Sequence, residues 1–171
     1  MSEPIQRAID RAVRRSFPMA TAAVASLAGL VTVPVAAYSQ IAPAFTLIAV
    51  YCWSVWRPDL LPLAGVFLIG LFEDLLRGLP LGLTALMLLT AAGFVQSQRA
   101  FVFGRSITVF WLVFGLLTIV WMAVEWMAMS ILLGQVLSPE AAAFRYVATF
   151  GLLPVGAAVL FVVQRSGMQN V

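Results

Sequence analysis

Histidine and lysine are both missing from this 171-residue chain, so its ten positive charges are all arginines. Without imidazole there is no histidine base, no His–metal ligand and no histidine pH switch. A single cysteine, Cys52, excludes an intramolecular disulfide, a CxxC pair and a multi-cysteine metal site. Charge of either sign is scarce as well. Charged residues make up 10% of the chain, against about 25% in soluble chains. What fills the space is apolar: the hydrophobic set reaches 63%, where about 45–50% is usual. So short a chain cannot hide this much apolar surface in one aqueous core. The excess must face lipid, which sets aside a soluble enzyme, a disordered tail and a nucleic-acid-binding domain.

Crossing a bilayer takes roughly 17–25 mostly apolar residues in a helix, and six candidate segments stand out. The first runs from Phe17 to Tyr38 and carries Pro34 near its far end. A signal peptide competes for this segment, because Arg7, Arg11, Arg14 and Arg15 precede it. The run is too long for a typical signal core, and no soluble domain follows it. The second, Ala44 to Trp56, is short and lies between Pro43 and Arg57-Pro58. The third runs from Leu60 to Leu76 and ends in acid, at Glu73-Asp74. Leu79 to Val95 is the fourth. The fifth and longest, Ile107 to Leu133, holds Glu125, and the sixth, Tyr146 to Val163, has Pro154 in its middle.

The arginines supply an orientation, because they favour the cytoplasmic side. With six spans and an inner N-terminus, Arg7, Arg11, Arg14, Arg15, Arg57, Arg99, Arg105 and Arg165 fall inside, and only Arg77 and Arg145 fall outside. Merging the second and third segments into one re-entrant unit would give five spans, move Arg99 and Arg105 outside and blunt that bias. The sequence thus predicts an all-α integral membrane protein with both termini cytoplasmic. Residues 1–16 form a basic cytoplasmic segment, 17–165 a six-helix transmembrane domain and 166–171 a cytoplasmic tail. In the first segment the arginines recur at three- and four-residue spacing, with Ile5, Ile9 and Val13 on another face. That pattern suits an amphipathic helix on an anionic leaflet, or a topology signal with no other task.

Reactive groups at membrane depth are few: Glu73, Asp74 and Glu125. Adjacent helical residues do not face each other, so Glu73 and Asp74 make a poor acid–base dyad. Neither a GxSxG motif nor a phosphate-cradling loop accompanies them. Acids in an apolar span are costly and are usually paired or functional. Arg77 lies three residues after Asp74 and four after Glu73, within ion-pair reach of both. Gly78 suits a helix C-cap and Pro80 the first turn of a following helix. Gly82 and Ala85 offer a small-residue packing face, as do Gly65, Gly70 and Gly93. The stretch predicts a helical hairpin held by a charged latch, or one whose acids simply cap it at the interface.

The order Gly70-Leu71, Asp74, Gly78, Pro80-Leu81-Gly82 and Ala85 resembles the signature of the MreD family of rod-shape-determining membrane proteins. Upstream, Tyr51 and Trp53 followed by Arg57-Pro58-Asp59 and Pro62 are similar to that family's second helix. The resemblance spans Pro43 to Leu89, and the acid at Glu73 is extra to the pattern. It implies a non-enzymatic, multi-pass protein of the bacterial inner membrane that binds an MreC-like protein. Through MreC it implies indirect association with MreB, RodA and a class B penicillin-binding protein in side-wall peptidoglycan synthesis. Arg57, Pro58, Gly70, Asp74, Gly78, Pro80 and Gly82 then become structural or partner-binding residues. The family is thought to share its six-helix fold with vitamin-transporter substrate-binding components. No cofactor, metal or nucleic acid is implied; membrane lipid is a partner, and a homodimer is one further assembly such a chain could form.

Glu125 sits deep in the fifth segment between Trp121 and Trp126. A buried carboxylate needs a partner or a proton, and the outer arginines Arg145 and Arg77 are the available cations. A Glu125–Arg145 ion pair between the fifth and sixth helices is expected, with a neutral, hydrogen-bonded Glu125 as the alternative. The five tryptophans read as interfacial or lipid-facing residues, and Cys52 as a small apolar residue. Two other functions compete with a scaffold: a vitamin-binding subunit of a transporter, and a small lipid or wall-precursor enzyme. The second lacks a base and metal ligands.

Overall fold

The structure is a computed structural model, described over residues 19–27, 43–99, 106–136 and 138–169. The basic segment 1–16, Arg105 and most of the first expected span lie outside the described residues. Every regular element described is helical. Residues 19–27 form α1. It is followed by α2 (Phe45–Trp56), a 3₁₀ turn (Pro58–Leu60), α3 (Leu63–Arg77), α4 (Leu83–Ser97), α5 (Ile107–Leu133) and α6 (Pro139–Gln169).

Local sequence explains most boundaries. Arg57-Pro58 ends α2, since a residue before proline avoids the helical region. Pro58 opens the 3₁₀ turn and Pro62 precedes α3 in extended conformation. Helix α3 therefore starts three residues later than the apolar run suggests. At its other end Gly78 adopts φ 64°, a left-handed cap that a Cβ would disfavour. Pro80 lies in the connection, not in the first turn of α4, because Gly82 at φ 98° is the residue before that helix. The sixth segment is longer than expected at both ends. Pro139 begins α6 at a position where a missing N–H costs nothing, Pro154 is carried inside it, and the helix reaches Gln169. Backbone of residues 166–169 thus continues α6.

Large apolar side chains cover the outside of the bundle as well as filling its core. Asp74, Glu125, Arg145, Thr84, Thr118 and Thr149 are buried, while Leu75, Ile107, Leu112 and Ile131 are each more than 65% exposed. Exposed Leu, Ile, Val and Phe side chains occur on α3, α4, α5 and α6. Two helical stretches, Ile107–Leu133 and Pro139–Val163, are long and apolar enough to cross a membrane. Helix α2 is different. Its 12 residues reach about 18 Å, short of a hydrocarbon core of about 30 Å. Thr46 through Val55 are all buried, so α2 is the central helix of the bundle, packed between α4 and α6.

Side chains on α2 reach outward to bind its neighbours. Trp53 Nε1 donates to Thr21 Oγ1 of α1 at 3.0 Å. The Tyr51 hydroxyl donates to the Phe110 carbonyl of α5 at 2.8 Å, and its ring lies 4.9 and 5.0 Å from the Phe110 and Phe114 rings. Trp53 and Trp121 are therefore buried, not lipid-facing. Each has an apolar ring that the core accepts and an N–H that finds an internal acceptor.

The closest helix pair is α3 and α4, and Gly70 makes that approach. A Cβ built on Gly70 would overlap the Ala85 backbone, lying 2.7 Å from its nitrogen. Gly82 has another task than packing: a Cβ there meets nothing within 4 Å, and its positive φ is what requires glycine. Gly93, on the same α4, is also open. Gly70→Ala should lower stability by about 1–3 kcal/mol through overpacking. Gly93→Ala should be neutral or stabilise by up to about 1 kcal/mol. Thermal unfolding of the two variants in detergent checks the contrast, and equal midpoints would show that the α3–α4 contact is not backbone-tight.

Candidate functional site: a charged cluster at one end of the bundle

The C-terminal end of α3 collects the acids, and each turns a different way. Asp74, fully buried, reaches across the connection to the start of α4. Its Oδ2 accepts the Gly82 N–H at 2.8 Å and its Oδ1 the Thr84 N–H at 2.9 Å. The first N–H groups of a helix have no partner within it, and a carboxylate at that end also suits the helix dipole. Asp74 is thus the cap of a helix that begins nine residues after it. The same residue's carbonyl accepts the Gly78 and Leu79 amides, so it closes α3 and opens α4. The sequence placed Asp74 within reach of Arg77. The structure instead satisfies both of its oxygens on α4 and leaves Arg77 to other acids.

Arg77 spans a seam between helices. Its Nη1 lies 3.3 Å from Glu73 Oε1, one turn back on α3, and its Nη2 donates to Glu125 Oε1 of α5 at 3.1 Å. The same Glu125 oxygen accepts from Arg145 Nη1 of α6 at 2.5 Å. The other, Oε2, accepts the Trp121 indole N–H at 3.1 Å. Glu73, Arg77, Glu125 and Arg145 form one network over three helices, and Glu125 is its centre. Charges with this little water are tolerable only when paired and hydrogen-bonded. Here the two arginines and two glutamates of the network balance.

Arg145 was expected just ahead of the sixth span. Because α6 begins at Pro139, Arg145 lies inside the helix and is buried. One turn on, Thr149 Oγ1 donates to the Arg145 carbonyl at 2.8 Å. It also accepts the Ala44 N–H at 3.1 Å, tying the start of α2 to this end of α6. One contact of Glu125 was missed in the sequence: Trp121 and Glu125 are four residues apart on one helix, a spacing that could have revealed their bond. Arg77 was one of the two cations available to Glu125, and the structure uses both, although the Arg77–Glu125 bond joins residues 48 apart and no local signal announces it.

The other motif residues lie elsewhere. Arg57 and Pro58 are at the opposite end of α2 from Ala44, in the turn before α3, where Leu60 N–H donates to the Arg57 carbonyl. Near that end Arg99 Nε donates to the Val55 carbonyl at 3.3 Å, satisfying one of the carbonyls a helix terminus leaves without a partner. Pro80 sits in the α3–α4 connection beside the Asp74 cap, its carbonyl accepting the Leu83 N–H at 3.1 Å. Gly70, Asp74, Gly78, Pro80 and Gly82 therefore belong to one hairpin, and the Glu125–Arg145 pair joins it through Arg77. Between α5 and α6, beside this network, runs an open groove lined by Ile119, Met122, Trp126, Pro139, Ala142 and Tyr146, among other apolar residues. Among the described residues no group of three or more His, Cys, Asp or Glu could hold a metal ion. No family model, curated protein or solved structure matches the chain.

Proposed function

We propose that this chain is a non-enzymatic scaffold of the bacterial cell-elongation machinery, an MreD-like, multi-pass protein of the inner membrane with six membrane helices, the short α2 shielded from lipid by its neighbours, and both termini cytoplasmic. Its direct partner is an MreC-like protein, and through it MreB, RodA and a class B penicillin-binding protein. The observation that carries the reading is the α3–α4 hairpin. The residues of the family-like motif are not scattered over the surface: Gly70 sets the helix approach, Gly78 and Gly82 hold left-handed turns, and Asp74 caps α4. A motif whose members each serve one rigid turn suits a protein that presents a fixed surface. The polar side chains of the cluster are largely engaged with one another, and the groove beside them is apolar. That apolar lining supports a surface for another apolar chain over a polar vitamin-binding site.

Affinity purification in mild detergent from the native bacterium tests the reading. Recovery of an MreC-like coiled-coil protein with a penicillin-binding protein is the expected result. Recovery of ATPase subunits, or of a co-purifying vitamin, would overturn it in favour of the transporter.

A further inference from the structure

The charged network divides into two neutral halves along a seam between helix pairs. Glu73 and Arg77 both belong to α3, whereas Glu125 and Arg145 belong to α5 and α6. Backbone packing follows the same division. Helix α3 packs closely on α4 and α5 on α6, while α4 barely approaches α5. Among the described hydrogen bonds, the one that joins α3 to α5 runs from Arg77 Nη2 to Glu125 Oε1. Breaking it leaves no charge alone in lipid, because Glu125 keeps Arg145 and Trp121, and Arg77 keeps Glu73. Arg77 would also gain something. Glu73 Oε2 is buried without a hydrogen-bond partner, so the released Nη2 has an acceptor waiting and the pair becomes bidentate, the strong geometry for Arg and carboxylate. A buried unmet acceptor has a cost while the seam is closed, and it is removed when the seam opens. At the other end of α5, Tyr51 holds Phe110 and Phe114 by a hydrogen bond and two ring contacts, none of which involves a charge.

We infer that the seam is a two-state device: Arg77 switches between bridging Glu125 and pairing fully with Glu73, and the C-terminal half of α5 swings away from α3 about the Tyr51–Phe110 contact. The inference needs only the bundle in a membrane and is independent of the partner assigned above.

The two states differ in distance between the exposed ends of α3 and α5, where Leu75 and Ile131 face outward. Cys52 is the chain's one cysteine and is buried, so a Cys52→Ala background carrying Leu75→Cys and Ile131→Cys accepts two nitroxide labels. Double electron–electron resonance is then recorded on the full chain in phosphatidylethanolamine/phosphatidylglycerol nanodiscs. The expected wild-type distribution has a main short distance and a longer component of up to about 10%. Arg77→Gln removes the bridge and should raise the longer component at least about threefold. Glu73→Gln leaves Arg77 with Glu125 as its only carboxylate and should abolish the longer component. The opposite signs are the test. A wild type with one distance, a shift of both variants in the same direction, or a longer component that survives Glu73→Gln overturns the inference. The last outcome decides the matter even where Arg77→Gln fails to fold.

Discussion

Glu125→Gln and Arg145→Gln should each lower the stability of the detergent-solubilised protein severely, and together they should lose much less than the sum. Glu125 accepts from Arg77, Arg145 and Trp121, and Arg145 is buried. Glu125→Gln takes from buried Arg145 the carboxylate it bonds, a loss of about 3–5 kcal/mol for a broken buried pair, and Arg145→Gln leaves Glu125 to Arg77 and Trp121, a loss toward the lower end of that range. Removing both charges restores neutrality on the α5–α6 side, while Arg77 still holds Glu73. The coupling between the two sites should therefore reach about 1–3 kcal/mol, the upper range for residues in direct contact. Thermal unfolding of the wild type, both single variants and the double variant closes the cycle. Strictly additive losses would mean that the two side chains do not sense each other. A single variant as stable as wild type would mean that the carboxylate is held neutral by hydrogen bonds alone.

That pair was legible in the sequence for a simple reason. An acid in the longest apolar run has few possible partners in a chain with ten cations, most of them drawn to the other side by the arginine distribution. Elimination of this kind works because charge is rare. Gly78 was legible too, since a glycine after an apolar run and a cation has one common use as a left-handed cap. The role of Asp74 was not. Spacing along α3 brings it near Arg77, but spacing says nothing about a helix that starts after a turn, and the free N–H groups of α4 compete for the carboxylate more effectively than a shared guanidinium. Helix α2 misled for a related reason. Its composition is as apolar as a lipid-facing span, and hydropathy does not distinguish a helix bathed in lipid from one wrapped by other helices. The flanking Pro43 and Arg57-Pro58 set its shortness, and burial on all sides followed from its place between α4 and α6. The tryptophans were misjudged similarly: composition suggests an interfacial belt, whereas Trp53 and Trp121 each have an internal acceptor that makes burial affordable.

Asp74→Ala should be the most damaging change in the hairpin, and its companions should rank in a definite order. Alanine removes both acceptors from the start of α4, leaving the buried Thr84 N–H and the half-buried Gly82 N–H without partners. Loss of a capping side chain costs about 0.5–2 kcal/mol, and each buried donor left unsatisfied costs about 1–3 kcal/mol. A total loss of about 2–5 kcal/mol is expected. Asparagine keeps one oxygen for one of the two donors but turns an NH₂ toward the other, so Asp74→Asn should fall between wild type and Asp74→Ala. Gly78→Ala leaves the cap intact and adds only the strain of a Cβ at φ 64°, about 1 kcal/mol. Unfolding midpoints should therefore order as wild type, Gly78→Ala, Asp74→Asn, Asp74→Ala. Amide exchange adds a local readout. Protection at Gly82 and Thr84 should collapse in Asp74→Ala and survive in Gly78→Ala. If Asp74→Asn were as damaging as Asp74→Ala, the carboxylate's charge rather than its two hydrogen bonds would be what α4 needs. Cell shape links the hairpin to the proposed scaffold. In a strain depleted of the wild-type protein, a stably inserted Asp74→Asn variant should support rod growth more weakly than wild type. Normal rods from Asp74→Ala would separate the hairpin from partner binding and sink the assignment of this surface.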